Sequence, residues 1–406
     1  MALLLSLTCI LSALGHPGSL FLPAQGGRAW DPPKAACLTD QQRTSIWQRL
    51  HASARALKLT KGGVAPQFIL PVRQNPQFSA IGYWAITNYV DHDPAFPNAL
   101  LDYQGGERTY DTTGGYNHAG TDFFLWPFGW EQMDRDQVWV VAAAPGTIIG
   151  KDDGFFDRNC TLPPPNPEWN AVYIQHGDGS VAWYGHLKNG SLTTKPVGAT
   201  VAAGEYLGVV GSSGVSTGPH LHFEIYDALD NLNDPYTGPF NQMNAQSWWQ
   251  VQPDYMDPKI VRLMTHDDAP GILSFCPEDE IINRADVFTP GDRIHTSVWY
   301  RDQQQGQITQ LTLVQPSGDP FTQWAHDIPE PHLGASFWYW FWDLPVNAEE
   351  GVWTLRASFE GQTAEHFFVV GTCPELYQTR IGQWPQGTHI QELSQLLPCA
   401  QVPGPL

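Results

Sequence analysis

Three short segments carry residues able to hold a metal ion and move protons. They are Asn117-His118-Ala119-Gly120-Thr121-Asp122, Trp183-Tyr184-Gly185-His186-Leu187 and Thr217-Gly218-Pro219-His220-Leu221-His222-Phe223-Glu224. The last continues into Ile225-Tyr226 and reads as a strand. Positions two apart on a strand face the same way, so His220 and His222 present both imidazoles to one side. Leu221 and Phe223 then face the opposite, buried side. Zinc takes histidine nitrogen and carboxylate oxygen, and a catalytic site keeps three protein ligands and one water. His118, Asp122 and one of the two strand histidines supply that count. Such a metal lowers the pKa of its water to about 7 and polarises a carbonyl. His186 and the remaining strand histidine are then free for proton transfer and oxyanion stabilisation.

Taken singly, each segment is weak in a chain with 14 histidines. His176, His266, His295, His326, His332 and His366 read as ordinary polar or core residues. Taken together and in order, the three segments resemble the lysostaphin-type, LytM-like zinc metallopeptidases. The matching motifs are HAGTD (118–122), VVAAAPGTIIG (140–150), YGHL (184–187), GSSGVSTGPHLHFE (211–224) and DP (234–235). The resemblance covers about 118–226. It implies that His118, Asp122 and His222 bind Zn2+, and that His186 and His220 are catalytic, flanking the water and the scissile carbonyl. It also implies a compact antiparallel β-sheet domain of the duplicated hybrid motif type, with the site in a groove along the sheet. The family's usual substrate is the peptide stem or cross-bridge of peptidoglycan. Two segments depart from the pattern. FFLWPFGWEQMDRDQV after Asp122 is longer and more aromatic than the usual connection, and the Pro-rich stretch before Asn170 is extra. Both are expected near the groove, where they bear on the substrate and not on the metal.

The elements that must position these residues are mostly short strands. VWVVA, TIIG, AVYIQ, VAWYGH and YLGVV are separated by turn signals such as Pro145-Gly146, Asp178-Gly179 and Gly211-Ser212. One good helix is expected from Thr39 to Leu57. Thr39 and Gln42 form a capping-box pattern, and Ile46, Leu50, Ala54 and Leu57 make an apolar stripe. CTLPPPNP (160–167) reads as a rigid polyproline-like excursion. A second strand series (IHTSVWY, ITQLTLVQ, FWYWFW, VWTLRASF, AEHFFVV) predicts an immunoglobulin-like β-sandwich. The fold class is therefore mainly β. The expected division is a signal peptide (1–15), a helical or irregular segment (16–80), the LytM-like domain (81–240), a linker (241–270), the sandwich (271–372) and a tail (373–406).

Composition limits the partners. The chain has 406 residues, 21 basic and 41 acidic, for a net charge of −20, so nucleic acid would be met with long-range repulsion. Its 17 Trp, 14 Tyr and 19 Phe argue against disorder. The uncharged apolar start, MALLLSLTCILSALG, is too short to span a bilayer and reads as a signal peptide, with Ala13 and Gly15 before the cleavage point. No other apolar run is long enough for a membrane span, and the protein is expected to be exported. Without Cys9 five cysteines remain, and none lies in a C-x-x-C pair. Spacing suggests Cys276 with Cys373 and Cys37 with Cys160, leaving one thiol over.

Gly214-Val215-Ser216-Thr217-Gly218 fits the G-x-S-x-G pattern, but a strand and not a helix follows, which argues against a serine hydrolase. Asn159 and Asn189 head glycosylation sequons. The aromatic run from Phe337 to Trp342 alternates as core packing does. The expected function is an exported zinc endopeptidase acting on peptidoglycan. The alternatives are a catalytically silent LytM-like regulator of wall hydrolases, or a wall- or glycan-binding protein.

Overall fold

A computed structural model of the chain describes residues 20–371. The stretches read as a signal peptide (1–15) and a tail (373–406), with Cys9, Cys373 and Cys399, lie outside the described residues. The fold is mainly β.

An antiparallel sheet carries the three histidine segments. Its strands run in the order Thr200–Val201, Gly146–Asp152, Ala171–Gln175, Val181–Gly185, His220–Tyr226, Thr121–Leu125 and Trp84–Asn88. The centre of this sheet is where the site lies, since His222 is registered against Asp122 on one side and Gly185 on the other. Strand alternation does the sorting. Leu221, Phe223 and Ile225 enter a large core shared with Phe123, Leu125 and Tyr184. Full burial of each such side chain is worth roughly 1.5–3 kcal/mol, which holds the opposite residues in register. A three-stranded sheet, Tyr206–Val209, Val138–Val141 and Val72–Gln74, closes the far side of that core.

Helix α1 (Asp40–Ala56) covers part of the other face. Thr39 caps it, and Gln42 completes the capping box. Ile46 and Leu50 are buried against Ile149, Tyr173 and Trp183. Among the described residues no helix is long and apolar enough to cross a membrane.

Two further sheets face each other across a second core. One holds Leu20–Phe21, Pro320–His326, Thr309–Val314, Gly351–Phe359, Gln362–Val370 and Val287–Phe288. The other holds Lys259–His266, Arg293–Gln304, His332–Asp343 and Gly26–Ala29. Trp324, Trp340, Trp353 and Phe368 fill the space between. Strands from outside 271–372 join this unit. Lys259–His266, inside the stretch read as a linker, is a strand because Ile260, Val261, Leu263 and Met264 are all buried between neighbours. Gly26–Ala29 and Leu20–Phe21, from the segment read as irregular, add edge strands to the same two sheets.

The cysteine pairing is corrected. Cys160 bonds to Cys276, with Cα atoms 5.2 Å apart, and Cys37 is a buried free thiol. The Pro-rich excursion carries Cys160 out to the second unit, whereas Cys37 is held inward by the segment that leads into α1.

Candidate metal centre

His118 sits at the end of a loop and Asp122 on the strand Thr121–Leu125, one residue after the glycine-threonine step that lets two strands close up. A side chain at Gly120 would put its Cβ 2.8 Å from Phe223 O and 2.9 Å from the His222 ring. Glycine is required there by close approach. His118 Nε2 lies 3.2 Å from His222 Nδ1. Asp122 Oδ2 lies 3.1 Å from His118 Nε2, and Oδ1 lies 2.8 Å from His222 Nδ1. The donor atoms of these three residues all fall within 4.8 Å of one another.

The outer nitrogens fix which inner atoms are available. His118 Nδ1–H donates to Tyr89 O at 2.7 Å, and His222 Nε2–H donates to Glu224 Oε1 at 2.8 Å. In these tautomers the inner nitrogens carry lone pairs, and they face each other beside a carboxylate. Three electron-rich donors at such distances repel unless a cation sits among them. The group therefore fits a divalent metal by its own chemistry, and two nitrogens with one carboxylate oxygen match zinc's preferences.

His186 and His220 lie at the rim of this triad, with ring centroids 4.5 Å apart. His186 Nδ1–H donates to Ser213 O at 2.6 Å, and His220 Nδ1–H donates to Gly218 O at 2.8 Å. His220 Nε2 faces Asp122 Oδ1 at 3.7 Å. His186 Nε2 is buried without a hydrogen-bond partner. His186 has φ 63, a left-handed conformation uncommon for a residue with a Cβ. Burial pushes the His186 imidazolium pKa down, so the ring is neutral. Burial pushes His220 the same way, but the Asp122 charge together with the Cys37 and Gly218 O contacts outweighs it and raises the pKa. All five residues singled out from the sequence thus come together around one point.

Several partners, apart from Glu224 at the end of the third segment, had no sequence signal of this kind. Asn88 Nδ2 donates to Asp122 Oδ2 at 2.9 Å. Glu224 is fully buried and accepts from Arg43 of α1, Nη1 at 2.5 Å and Nη2 at 3.0 Å. Burial would raise the Glu224 pKa, yet the Arg43 charge and the His222 hydrogen bond hold it well below the carboxylate range. Trp169, from the end of the Pro-rich insert, packs edge-on against His186 at 5.3 Å. Cys37 Sγ lies 3.2 Å from Tyr110 Oη and 4.0 Å from His222 Nδ1. Only long-range folding brings Cys37 there, although an unpaired cysteine was already implied by the odd count.

A groove leads to the triad, lined by Asp122, His220 and Pro219 together with Trp126 and Trp130 of the aromatic insert. The insert also docks the second unit. Trp126 Nε1 donates to Tyr300 O at 3.0 Å, and Phe128 packs 4.6 Å from Trp299.

Residues 129–235 match the family model of Peptidase family M23. Over 55 residues the chain is 47% identical to the DD-carboxypeptidase/endopeptidase Mpg of Neisseria meningitidis serogroup B, which covers 14% of this chain and 12% of that protein. Over 165 residues it is 28% identical to the peptidoglycan DD-endopeptidase ShyC of Vibrio cholerae, covering 38% of this chain and 33% of that one. The chain thus spans a third or less of the curated relatives it matches. The catalytic domain of lysostaphin from Staphylococcus simulans is 23% identical, covering 37% of this chain and 89% of that domain, with a TM-score of 0.24. The M23 match takes in the YGHL and GPHLHFE motifs, with HAGTD just before it, and supports over this domain the resemblance to the lysostaphin-type, LytM-like peptidases.

Proposed function

We propose that this protein is an exported zinc-dependent endopeptidase that hydrolyses peptide bonds in peptidoglycan stems or cross-bridges. The observation that carries the reading is the convergence of His118 Nε2, Asp122 and His222 Nδ1 within 4.8 Å. These three would hold Zn2+. When bound, zinc supplies a water acidified to near neutrality and a Lewis acid for the scissile carbonyl.

The chain's own residues supply the rest. His186 and His220 present their Nε2 atoms beside the triad, each with its ring orientation fixed by a backbone carbonyl. Between them they take a proton from the attacking water and deliver one to the leaving amine. Glu224 and Asn88 orient His222 and Asp122. Trp126 and Trp130 form apolar walls that align an extended peptide in the groove. The substrate is argued from the names of the Neisseria and Vibrio relatives. Export is supported by the Cys160–Cys276 disulfide, since such bonds persist in oxidising compartments. The two-sheet unit, expected over 271–372 and joined by Lys259–His266, Gly26–Ala29 and Leu20–Phe21, is read as an immunoglobulin-like accessory sandwich.

The test separates metal from turnover. Asp122→Ala and His222→Ala are expected to lose zinc by metal analysis. His186→Ala and His220→Ala are expected to keep it and to lose at least roughly 100-fold in hydrolysis, the scale of acid–base catalysis. Hydrolysis is read by mass spectrometry of fragments released from purified peptidoglycan, in the native chain and in a Cys37→Ala background. Stoichiometric zinc with no released peptide in either background would sink the proposal.

A further inference from the structure

We propose that Cys37 is the fourth ligand of the resting metal centre, and that the segment carrying it holds the enzyme latent. This deepens the zinc-peptidase reading and rests on it. The segment leaves the four-stranded sheet after Gly26–Ala29 and runs to α1. On the way Trp30, Pro32, Lys34 and Ala35 line the same groove as Asp122 and His220, so the chain itself lies where a peptide substrate must pass. Tyr110 Oη donates to Ala35 O at 3.0 Å, and Lys34 Nζ donates to Asn88 Oδ1 at 3.3 Å. Strand pairing holds one end of the strap, and the Arg43–Glu224 ion pair holds the other.

The thiol stands where the coordination sphere is open. Cys37 is 3% exposed. Its sulfur lies 4.0 Å from His222 Nδ1, and Cys37 lines the same groove as His220 and Asp122. The groove is the side a water or scissile carbonyl would use. With Zn–N near 2.05 Å and Zn–S near 2.3 Å, tetrahedral ligation separates nitrogen from sulfur by roughly 3.6 Å. Cys37 Sγ lies 4.0 Å from His222 Nδ1 but outside the cluster in which the other three donors fall within 4.8 Å of one another, so ligation draws the sulfur inward. Thiolate is a favoured zinc ligand. As the metal–sulfur bond forms, the thiol proton passes to solvent and the water is displaced. With water excluded and the groove filled, the centre is closed. Because Cys160 is bonded to Cys276, Cys37 has no disulfide partner among the described residues.

The experiment loads Co2+ into the native full chain and into Cys37→Ala, with Cys37→Ser as a second variant should the first fold poorly. Cobalt content is measured first and is expected to be equal. The native chain should show a near-ultraviolet sulfur-to-cobalt charge-transfer band that both variants lack. Peptide mapping after iodoacetamide should find Cys37 protected in the metal-loaded chain and alkylated in the metal-free one. Peptidoglycan hydrolysis by the zinc-loaded Cys37→Ala protein should exceed that of the native chain by roughly tenfold or more. Bound cobalt without the band, or Cys37 alkylated equally in both states, overturns the ligation while the peptidase reading stands. A sulfur band with unchanged hydrolysis in the variants overturns the latency. Failure of all three proteins to bind metal overturns this proposal and the reading beneath it together.

Discussion

Glu224 touches no substrate, yet His222 depends on it. Its carboxylate accepts the Nε2–H of His222 and is clamped by Arg43, which fixes the tautomer that leaves Nδ1 facing Asp122. Carboxylate partners of this kind raise ligand basicity, and losing one costs 10- to 100-fold in metal affinity. Glu224→Gln keeps the size and one oxygen but removes the charge. It is expected to weaken zinc binding by roughly that factor, measured by competition with a chromophoric chelator. It also strands Arg43, whose side chain is 21% exposed, so some loss of stability accompanies the change. Arg43→Ala would be the harsher substitution, because it leaves the fully buried Glu224 charge without its partner. If Glu224→Gln bound zinc as tightly as the native chain, the orienting role would be lost.

The strands make the triad possible by approaching closely, and Gly120 is where that approach is tightest. A methyl there meets backbone oxygen on one side and the His222 ring on the other, both under 3 Å away. Neither can swing aside as a long flexible side chain would. Gly120→Ala should therefore cost about 1–3 kcal/mol of stability and lower metal affinity by prising His118 and Asp122 from His222, as read by urea midpoint and zinc titration. This element was legible in the sequence because its chemistry is local: a two-residue period puts both imidazoles of His220 and His222 on one face, and a short loop brings His118 to Asp122. The helix was legible for the same reason, through the Thr39–Gln42 cap and the Ile46–Leu50 spacing. The lid over the site was not. Asn88, Tyr110 and Cys37 reach the triad from parts of the chain whose own residues show no repeating pattern, and Arg43 reaches it from α1, whose apolar stripe does not report what its other residues meet. The wrong cysteine pairing has the same root, since connectivity depends on which loops meet and spacing does not report that. The strands at Gly26–Ala29 and Lys259–His266 also escaped notice. They are defined by partners far along the chain, and Gly26-Gly27 has no strand propensity of its own.

At the scale of the molecule, the two units are joined by more than the Cys160–Cys276 bond. Trp126, Phe128, Trp299 and Phe337 form an apolar seam, with the last two stacked at 4.3 Å. Arg284 of the second unit forms two 3.0 Å hydrogen bonds to Glu131 of the short helix α2 (Gly129–Asp134), and the Glu280 carboxylate accepts from the first backbone amides of that helix. Trp126→Ala would leave a cavity in the seam and remove the hydrogen bond to Tyr300 O, with an expected loss of about 3–5 kcal/mol by denaturant titration. If its cost proved no greater than that of a surface change, the seam would not be what couples the units.

The second unit also sets how the molecule answers acid. His266 is buried, donates from Nδ1 to Ile282 O at 2.7 Å and accepts from Ser297 Oγ, and burial lowers its pKa to about 3. His326 is wedged between the Trp338 and Trp340 rings, and burial lowers its pKa to about 4. Both are neutral in the folded chain, whereas in the unfolded chain they protonate near pH 6.5. Between that value and the folded pKa the unfolded state binds more protons, so stability falls as pH falls, by roughly 1 kcal/mol per pH unit for each ring. Glu280 acts with the opposite sign. Burial raises its pKa to about 7, so its protonation in the folded state adds stability as pH drops toward the ordinary glutamate range. A single stability curve would mix these contributions, and a difference between two proteins does not. His326→Phe keeps an aromatic ring between the two tryptophans and removes a buried nitrogen that has no hydrogen-bond partner. The substitution should be neutral or stabilising at pH 7.5. Its advantage over the native chain should then grow as pH falls from 6.5 to 4.5, while Glu280 and His266 cancel from the comparison. Urea midpoints at several pH values read the effect directly. Parallel curves for the two proteins would mean that His326 takes up its proton without unfolding, and that the pocket between the tryptophans is open to water.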